Sequence, residues 1–391
     1  MDVMIALGAA CLLIRMGQAL YGTGLIRAKN AAGATLRAVC DVSAAMLAFW
    51  LIGAAILRWN RGLVGFGAGV DGGLFFLATV VLIGGAIPGA AMAERSRFWP
   101  LGWAAAVMGG MIIPLGARWS WSGWLKHMGF IDDAGGAWLH AAGAVCALAG
   151  ALVVGPRTGK YHRDGSASMI PGHNVPLAGI GLFAMLAGWA PYVAGCLVAN
   201  GAAPEAGPAA ARTLVAGCSG GMAAMLLGRY RYGKPDVVLT VMGFIGGLVA
   251  VSAGAGKIQS PGALLIGAGA GILVPVGAVW LDLLAHVDDP AGVVAIHGVG
   301  GVWGTIMTGL FIPGSLGHRL HQIWIQALGV ACLVSMAAVV SAAMFLLLRA
   351  TVRLRATEAD EFDGLDLAEH DIGAYPDFQQ TTIKSYHLRE A

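Results

Sequence analysis

Charged side chains are scarce in this chain: 12% of its 391 residues, 24 basic and 21 acidic, for a net charge of +3. Soluble domains carry about twice that fraction, which excludes a soluble enzyme and a disordered chain. So small a net charge supplies no basic surface for nucleic acid. The six cysteines (Cys11, Cys40, Cys146, Cys196, Cys218 and Cys332) form no CxxC pair, and most lie in apolar runs. They read as small core residues, not as a disulfide framework or metal centre. No basic stretch precedes the first apolar run, only Asp2. Met1 to Ile26 is therefore expected to be a first membrane span, interrupted by Arg15, and not a cleaved leader. No nucleophile–base set and no cofactor motif stands out, so the chain reads as neither an enzyme nor a cofactor carrier.

Apolar residues and glycine are plentiful instead: 58% hydrophobic residues and 61 glycines. Small residues let helices approach closely in lipid. Apolar runs of roughly 17–25 residues are candidate membrane helices. Eleven are expected, at about 3–26, 34–57, 73–93, 99–117, 134–154, 176–199, 212–228, 236–254, 262–284, 292–313 and 323–349. They are too long, and alternate too little, for barrel strands. The fold class is an all-α polytopic membrane protein, with a transmembrane domain over 1–350 and a polar tail over 351–391. Basic residues concentrate after the first, third, fifth and seventh spans (Arg27, Lys29, Arg95, Arg97, Arg157, Lys160, Arg229, Arg231, Lys234). The other side holds fewer, among them Arg58, Arg61, Arg118, Lys126 and Lys257. The positive-inside rule then puts the N-terminus outside a cell (inner) membrane and the tail in the cytoplasm.

Two segments resemble each other. Asp132-Asp133 leads through glycines to His140, and Asp288-Asp289-Pro290 leads in the same way to His297; a glycine-rich run follows both. One acidic pair precedes span 5 and the other span 10, so the two helices cross in opposite senses. Two five-helix halves, about 1–157 and 176–313, then form inverted repeats, followed by a final helix at about 323–349. Asp133, Asp288 and Asp289 are expected to cap helix N-termini. A lone histidine in a span is usually a satisfied core residue, but two at matching repeat positions indicate a pathway. Two histidines fill half a tetrahedral metal shell, and no Cys or carboxylate sits beside them at ligand spacing, so no metal is expected. A neutral imidazole pair can pass a proton or accept one from a small cation. His127, His162, His173, His286, His318, His321, His370 and His387 are expected to be solvated.

Several stretches carry a family likeness: Gly24 to Asn30, Ala93 to Phe98, Asp132 to His140, Val287 to Pro290 with Val294 to Phe311, and Gly364 to His370 with Ala374 to Asp377. Together they resemble the ammonium transporters (the Amt/MEP/Rh superfamily), particularly the bacterial Amt-like branch, over nearly the whole chain. The resemblance implies a homotrimer in which each protomer has its own pore, lined by His140 and His297. It implies that ammonium (or methylammonium) is recruited outside and deprotonated, and that ammonia and the proton pass the apolar pore. Asp132 matches the aspartate at the base of the outer vestibule. Trp121 matches the outer tryptophan, with Trp119 an alternative. The two gate phenylalanines fall on Val80 and Tyr192, and the recruitment serine on Cys196, after Gly188-Trp189.

Val80 has no π-face and Cys196 is a weak acceptor; Phe76, one turn from Val80, is the candidate substitute. Recruitment weaker than in a pore with both phenylalanines and the serine is therefore expected. An ammonium sensor on the same fold, or a channel for another small solute such as methylamine or carbon dioxide, are the other readings. Composition alone fits a solvated or a docked tail. Leu365, Leu367, Ile372, Tyr375 and Phe378 favour docking, with Arg157, Lys160, Arg229, Arg231 and Lys234 as basic partners. In the resembled family that face also receives a PII-type regulatory protein.

Overall fold

The computed structural model describes residues 3–58 and 71–376; Asp2, Arg61, Asp377, Phe378 and His387 lie outside them. Among the described residues, ten helices are long and apolar enough to cross a membrane. They are α1 (Val3–Gly24), α2 (Ala28–Leu57), α3 (Gly72–Ala91), α4 (Phe98–His127), α5 (Gly136–Val154), α6 (Val175–Ala199) and α7 (Ala203–Tyr232), and then α9 (Ser260–Leu283), α10 (Val294–Phe311) and α11 (Leu316–Thr351). Between α7 and α9 lies the shorter apolar α8 (Val237–Val251). Side chains fix the starts of several: Asp71, Asn174 and Asp236 each accept the N–H three residues on, at 2.7, 2.9 and 2.8 Å, satisfying donors that a helix leaves free.

The 15 residues of α8 rise only about 22 Å, short of the roughly 30 Å hydrocarbon core. The expected span to residue 254 ends early, and the carbonyls beyond its last turn find partners elsewhere. Ala253 and Ser252 accept the N–H groups of Asp133 (2.8 Å) and Ala134 (3.0 Å), so α8 ends on the segment that enters α5. A related arrangement joins α3 to α10. Arg95, just past α3, donates to the Asp288 carbonyl at 2.7 Å and to the Gly155 carbonyl at 2.8 Å.

Corresponding helices of the two halves meet at glycines. The most extensive helix pairing is α1 with α6. There, a Cβ at Gly17 would lie 2.4 Å from the Gly181 carbonyl oxygen, and one at Gly181 would lie 2.6 Å from the Gly17 oxygen. α5 and α10 meet in the same way: a Cβ at Gly301 would lie 2.5 Å from the Gly136 oxygen. Only glycine permits approaches this close.

Of the three aspartates expected to be caps, Asp289 is one, whereas Asp133 and Asp288 do other work. Asp132 is the cap of α5, accepting Gly136 (2.7 Å), Ala137 (2.9 Å) and Trp138 (3.0 Å). Asp289 plays that part for α10 through Val294 (2.7 Å). Asp133 instead accepts Gly256 N–H at 3.0 Å, tying α5 to the loop after α8. Asp288 holds Arg157 with three bonds, to the backbone N–H (2.8 Å), Nε (2.9 Å) and Nη2 (2.7 Å). Arg157 also reaches Glu94, which accepts from Arg27 and Asn30 as well. Arg157 and Asp288 are buried, and Glu94 is fully so. Burial would raise the Asp288 carboxyl, but the Arg157 bonds and charge hold it below the usual carboxylate range.

The tail packs onto this same face through α12 (Glu358–Asp363) and α13 (Leu365–His370). The partners are not those expected. Arg157 is taken by Asp288, Lys160 by Asp282 at 2.8 Å, and Arg229 by the Gly233 carbonyl. Instead, Asp366 accepts the N–H groups of Ala32 and Gly33, both at 2.7 Å, at the start of α2. Glu361 binds Arg355 and Thr158, and Lys29 caps the Glu361 carbonyl at 2.7 Å. Leu365 is buried, whereas Leu367, Ile372 and Tyr375 remain exposed. His173 and His370 are also engaged, contrary to the solvated reading: His173 bonds the Ile26 carbonyl and Tyr375, and His370 packs edge-on against Phe98.

Candidate functional site

The entries to α5 and α10 share one local design. A capping aspartate is followed three residues later by a glycine in the left-handed region, Gly135 (φ 80°) after Asp132 and Gly292 (φ 65°) after Asp289. A π-helical turn comes next, Gly136–Ala141 and Val294–Val299, and it carries the histidine. Asp132 and His140 have the same spacing as Asp289 and His297, so the repeat aligns Asp132 with Asp289. The adjacent aspartates hide that one-residue offset in the sequence. The extra residue of a π turn is a common device at functional positions.

The two imidazoles lie face to face, with ring centroids 5.1 Å apart and planes 13° from parallel. His140 is 0% and His297 5% exposed. No hydrogen bond joins them, and among the described residues both nitrogens of His140 and Nδ1 of His297 have no protein partner. Trp189 stacks on His140 with a centroid distance of 5.5 Å and an 18° tilt. Its indole N–H reaches Ser252 Oγ at 3.4 Å. Trp189 was not a candidate in the sequence; its place one helical turn before Tyr192, on the same face of α6, is the signal that could have marked it.

Tyr192 meets His140 edge-on at 6.2 Å and donates its hydroxyl hydrogen to the Ala134 carbonyl. Cys196 follows one turn later on α6 and is 0% exposed. Phe76 fills the space over Gly195, where a Cβ would lie 2.2 Å from its ring. Phe76 and Val80 are buried in the same apolar cluster as Tyr192 and Cys196. Trp121 is half-exposed. Its indole N–H donates to the Asp132 carbonyl at 3.0 Å, and its ring stands edge-on to Trp138 at 5.2 Å. Trp119 packs on Trp124 instead. Burial pushes the Asp132 carboxyl up to about 7, against the pull of its three backbone donors. Burial likewise raises Asp133 and Asp289 to about 6.

A profile of the Ammonium Transporter Family matches residues 3–375. The chain belongs to the ammonium transporter family. Ammonium transporter Amt2 of Archaeoglobus fulgidus is 31% identical over 95% of this chain and 87% of its own length. Ammonium transporter Amt1 of Haloferax mediterranei is also 31% identical, over 93% of this chain and 76% of its own. Among solved structures, a protein titled Sensor Amt Protein superposes with a TM-score of 0.87 at 30% identity, covering 94% of this chain and 97% of that one. Mep2 of Saccharomyces cerevisiae shares the fold, with a TM-score of 0.81 at 24% identity over 91% and 88% of the two chains. This family member is a multi-pass membrane protein, and its relatives are transporters rather than enzymes.

Proposed function

We propose that the chain carries ammonium across the cytoplasmic membrane by separating it into ammonia and a proton. The observation that supports this most directly is the stacked imidazole pair, buried between α5 and α10 with three of its four ring nitrogens free of protein partners among the described residues. Ammonium and potassium share charge and approximate size. Stripped of water in an apolar passage, either ion meets a desolvation cost of up to tens of kcal/mol. Ammonium escapes that cost by giving up a proton, and a neutral imidazole can take it. Potassium has no such step.

In this reading the face of Trp121 draws the cation by cation–π attraction, about 0.5–2 kcal/mol. Asp132 holds the entry of α5 in place beneath it. Phe76, Val80, Tyr192 and Cys196 form the gate above His140. Methylammonium suits the same chemistry. The N-terminus lies outside and the tail inside, as the distribution of basic residues favours. Three copies form a homotrimer with one pathway each, and a PII-type regulatory protein binds the tail face.

Current in proteoliposomes under an ammonium gradient, with potassium as control, tests the proposal. A current specific to ammonium supports it, and its absence refutes it. A second reading, an ammonium sensor, draws on the nearly complete burial of Phe76, Val80, Tyr192 and Cys196, which leaves the gate shut. Ammonium binding without current would decide for the sensor.

A further inference from the structure

Among the described residues, the membrane domain contains two buried arginine–aspartate pairs, and they differ in kind. Arg157 and Asp288 are saturated, with three bonds of 2.7–2.9 Å. Arg15 on α1 and Asp41 on α2 make one contact of 3.3 Å, Nη2 to Oδ2, with side chains 9% and 8% exposed. Around this second pair, polar atoms are left over. Among the described residues, Arg15 Nε, Asp41 Oδ1, Gln18 Oε1 and Arg37 Nη1 are buried without a protein partner. A pair kept only for stability would be expected to satisfy its remaining donors and acceptors.

These atoms border a single space. A cavity of about 80 Å³ is lined by Arg15, Gln18, Arg37, Asp41, Gly89 and His297. That volume suits two or three water molecules at about 30 Å³ each, and each of the four groups offers them a hydrogen bond. Tyr21 also lines this space, and its hydroxyl donates to the Ala291 carbonyl at 2.9 Å. Ionisable side chains inside spans commonly mark proton relays.

We propose that Asp41 is the proton acceptor on the tail side of His297. This rests on the deprotonation reading above and extends it beyond the histidine pair. The proton taken from ammonium resides on the imidazoles. The His297 N–H bond breaks and the proton passes through cavity water to Asp41 Oδ1, where an O–H bond forms. His297 returns to its neutral state and Asp41 becomes the uncharged acid. The acid then releases its proton to water at the tail face, and the carboxylate pairs with Arg15 again. The charged groups facing Asp41 are Arg15 from α1 and Arg37 from its own helix; α3 presents Gly89, which carries none. Beyond Arg37 lies Asp366 of the tail, bound at Gly33 one turn earlier on α2.

The test uses the full chain in proteoliposomes, with current measured alongside internal alkalinisation by a pH dye, which reports ammonia entry. Asp41→Asn removes the acceptor. Arg15→Leu combined with Asp41→Leu removes both charges and strands neither, so it remains informative if the single variant does not fold. The expected result is a current about a hundredfold below the parent's, the lower end for loss of a proton-transfer group, with ammonia entry reduced much less. Parental current in either folded variant would overturn the assignment of Asp41 while leaving the histidine reading intact. Equal loss of current and ammonia entry in a folded variant would overturn it as well, by making Asp41 structural. No ammonium current in the parent protein would overturn the deprotonation reading and this one together.

Discussion

Replacing Arg157 with methionine isolates one buried charge. Arg157 supplies both side-chain hydrogen bonds that Asp288 accepts, from Nε and Nη2, and gives Glu94 one from Nη1. After the change Glu94 still has Arg27 and Asn30. Asp288 keeps only the backbone N–H of residue 157. Removing one partner of a buried pair costs about 3–5 kcal/mol. With an unfolding entropy of about 2 cal/mol/K per residue, on the order of 0.8 kcal/mol/K for the chain, the midpoint should fall by about 4–6 °C. The effect should depend on pH. In the parent the Asp288 carboxyl titrates below its usual range, so its stabilisation is present above the unfolded value of about 3.9 and is lost as pH falls through the lower folded value. In the variant burial, which raises the folded value, is opposed only by the Arg95 charge and the one backbone N–H, so the folded value moves up from the parent's and the stabilisation present at neutral pH shrinks. The deficit should be widest at neutral pH and narrow on acidification. Thermal unfolding in detergent between pH 4 and pH 8 measures it, and adding Asp288→Asn should recover most of the loss at neutral pH. An unchanged midpoint at neutral pH, a deficit independent of pH, or no recovery in the double variant would refute the reasoning.

Changing His140 and His297 together to alanine should abolish selective, charge-coupled transport, and an isosteric change of one should leave permeation but weaken discrimination against potassium; parental current and selectivity in the double variant would make the pair structural. Val80→Phe with Cys196→Ser should tighten apparent ammonium affinity in the concentration dependence of the current; unchanged or weaker affinity would mean that Trp121, Phe76 and Tyr192 already form a complete site. Removing everything after Arg355 strips the first turn of α2 of Asp366, a cap worth about 0.5–2 kcal/mol, and should lower or uncouple activity with the oligomer intact. A fully active, equally stable truncated protein would argue against that role for the tail.

The spans and the histidines were legible because each announces itself within one segment. A membrane helix is a long apolar run, and His140 or His297 stands out as the ionisable group inside one. The short α8 was less legible, because its end depends on N–H groups from Asp133 and Ala134, far away in sequence. The same holds for Arg157, whose partners Glu94 and Asp288 lie 63 and 131 positions away. Positive charge in a loop looked available to the tail, yet it was already committed to another loop. Arg15 looked like an isolated anomaly until α2 brought Asp41 beside it. Trp189 stayed hidden for the opposite reason: tryptophan in an apolar helix is ordinary, and only the ring facing it gives it meaning.

The glycine contacts between the halves bear on how anything crosses this protein. A transporter working by alternating access must part its two repeats on one side and close them on the other, and that motion needs a layer of side chains able to slide or repack. Here Gly17 meets Gly181, and Gly136 meets Gly301, backbone against backbone. Such seams leave nothing between the halves to give way, so rocking would mean prying apart direct backbone-to-backbone contacts. On the pathway proposed above, what would have to move is single side chains set along a fixed frame, such as Phe76, Tyr192 and Tyr21. Flux through that frame should rise only gently with temperature, and ligand on the far side should not accelerate exchange, as it does in a carrier that must reorient.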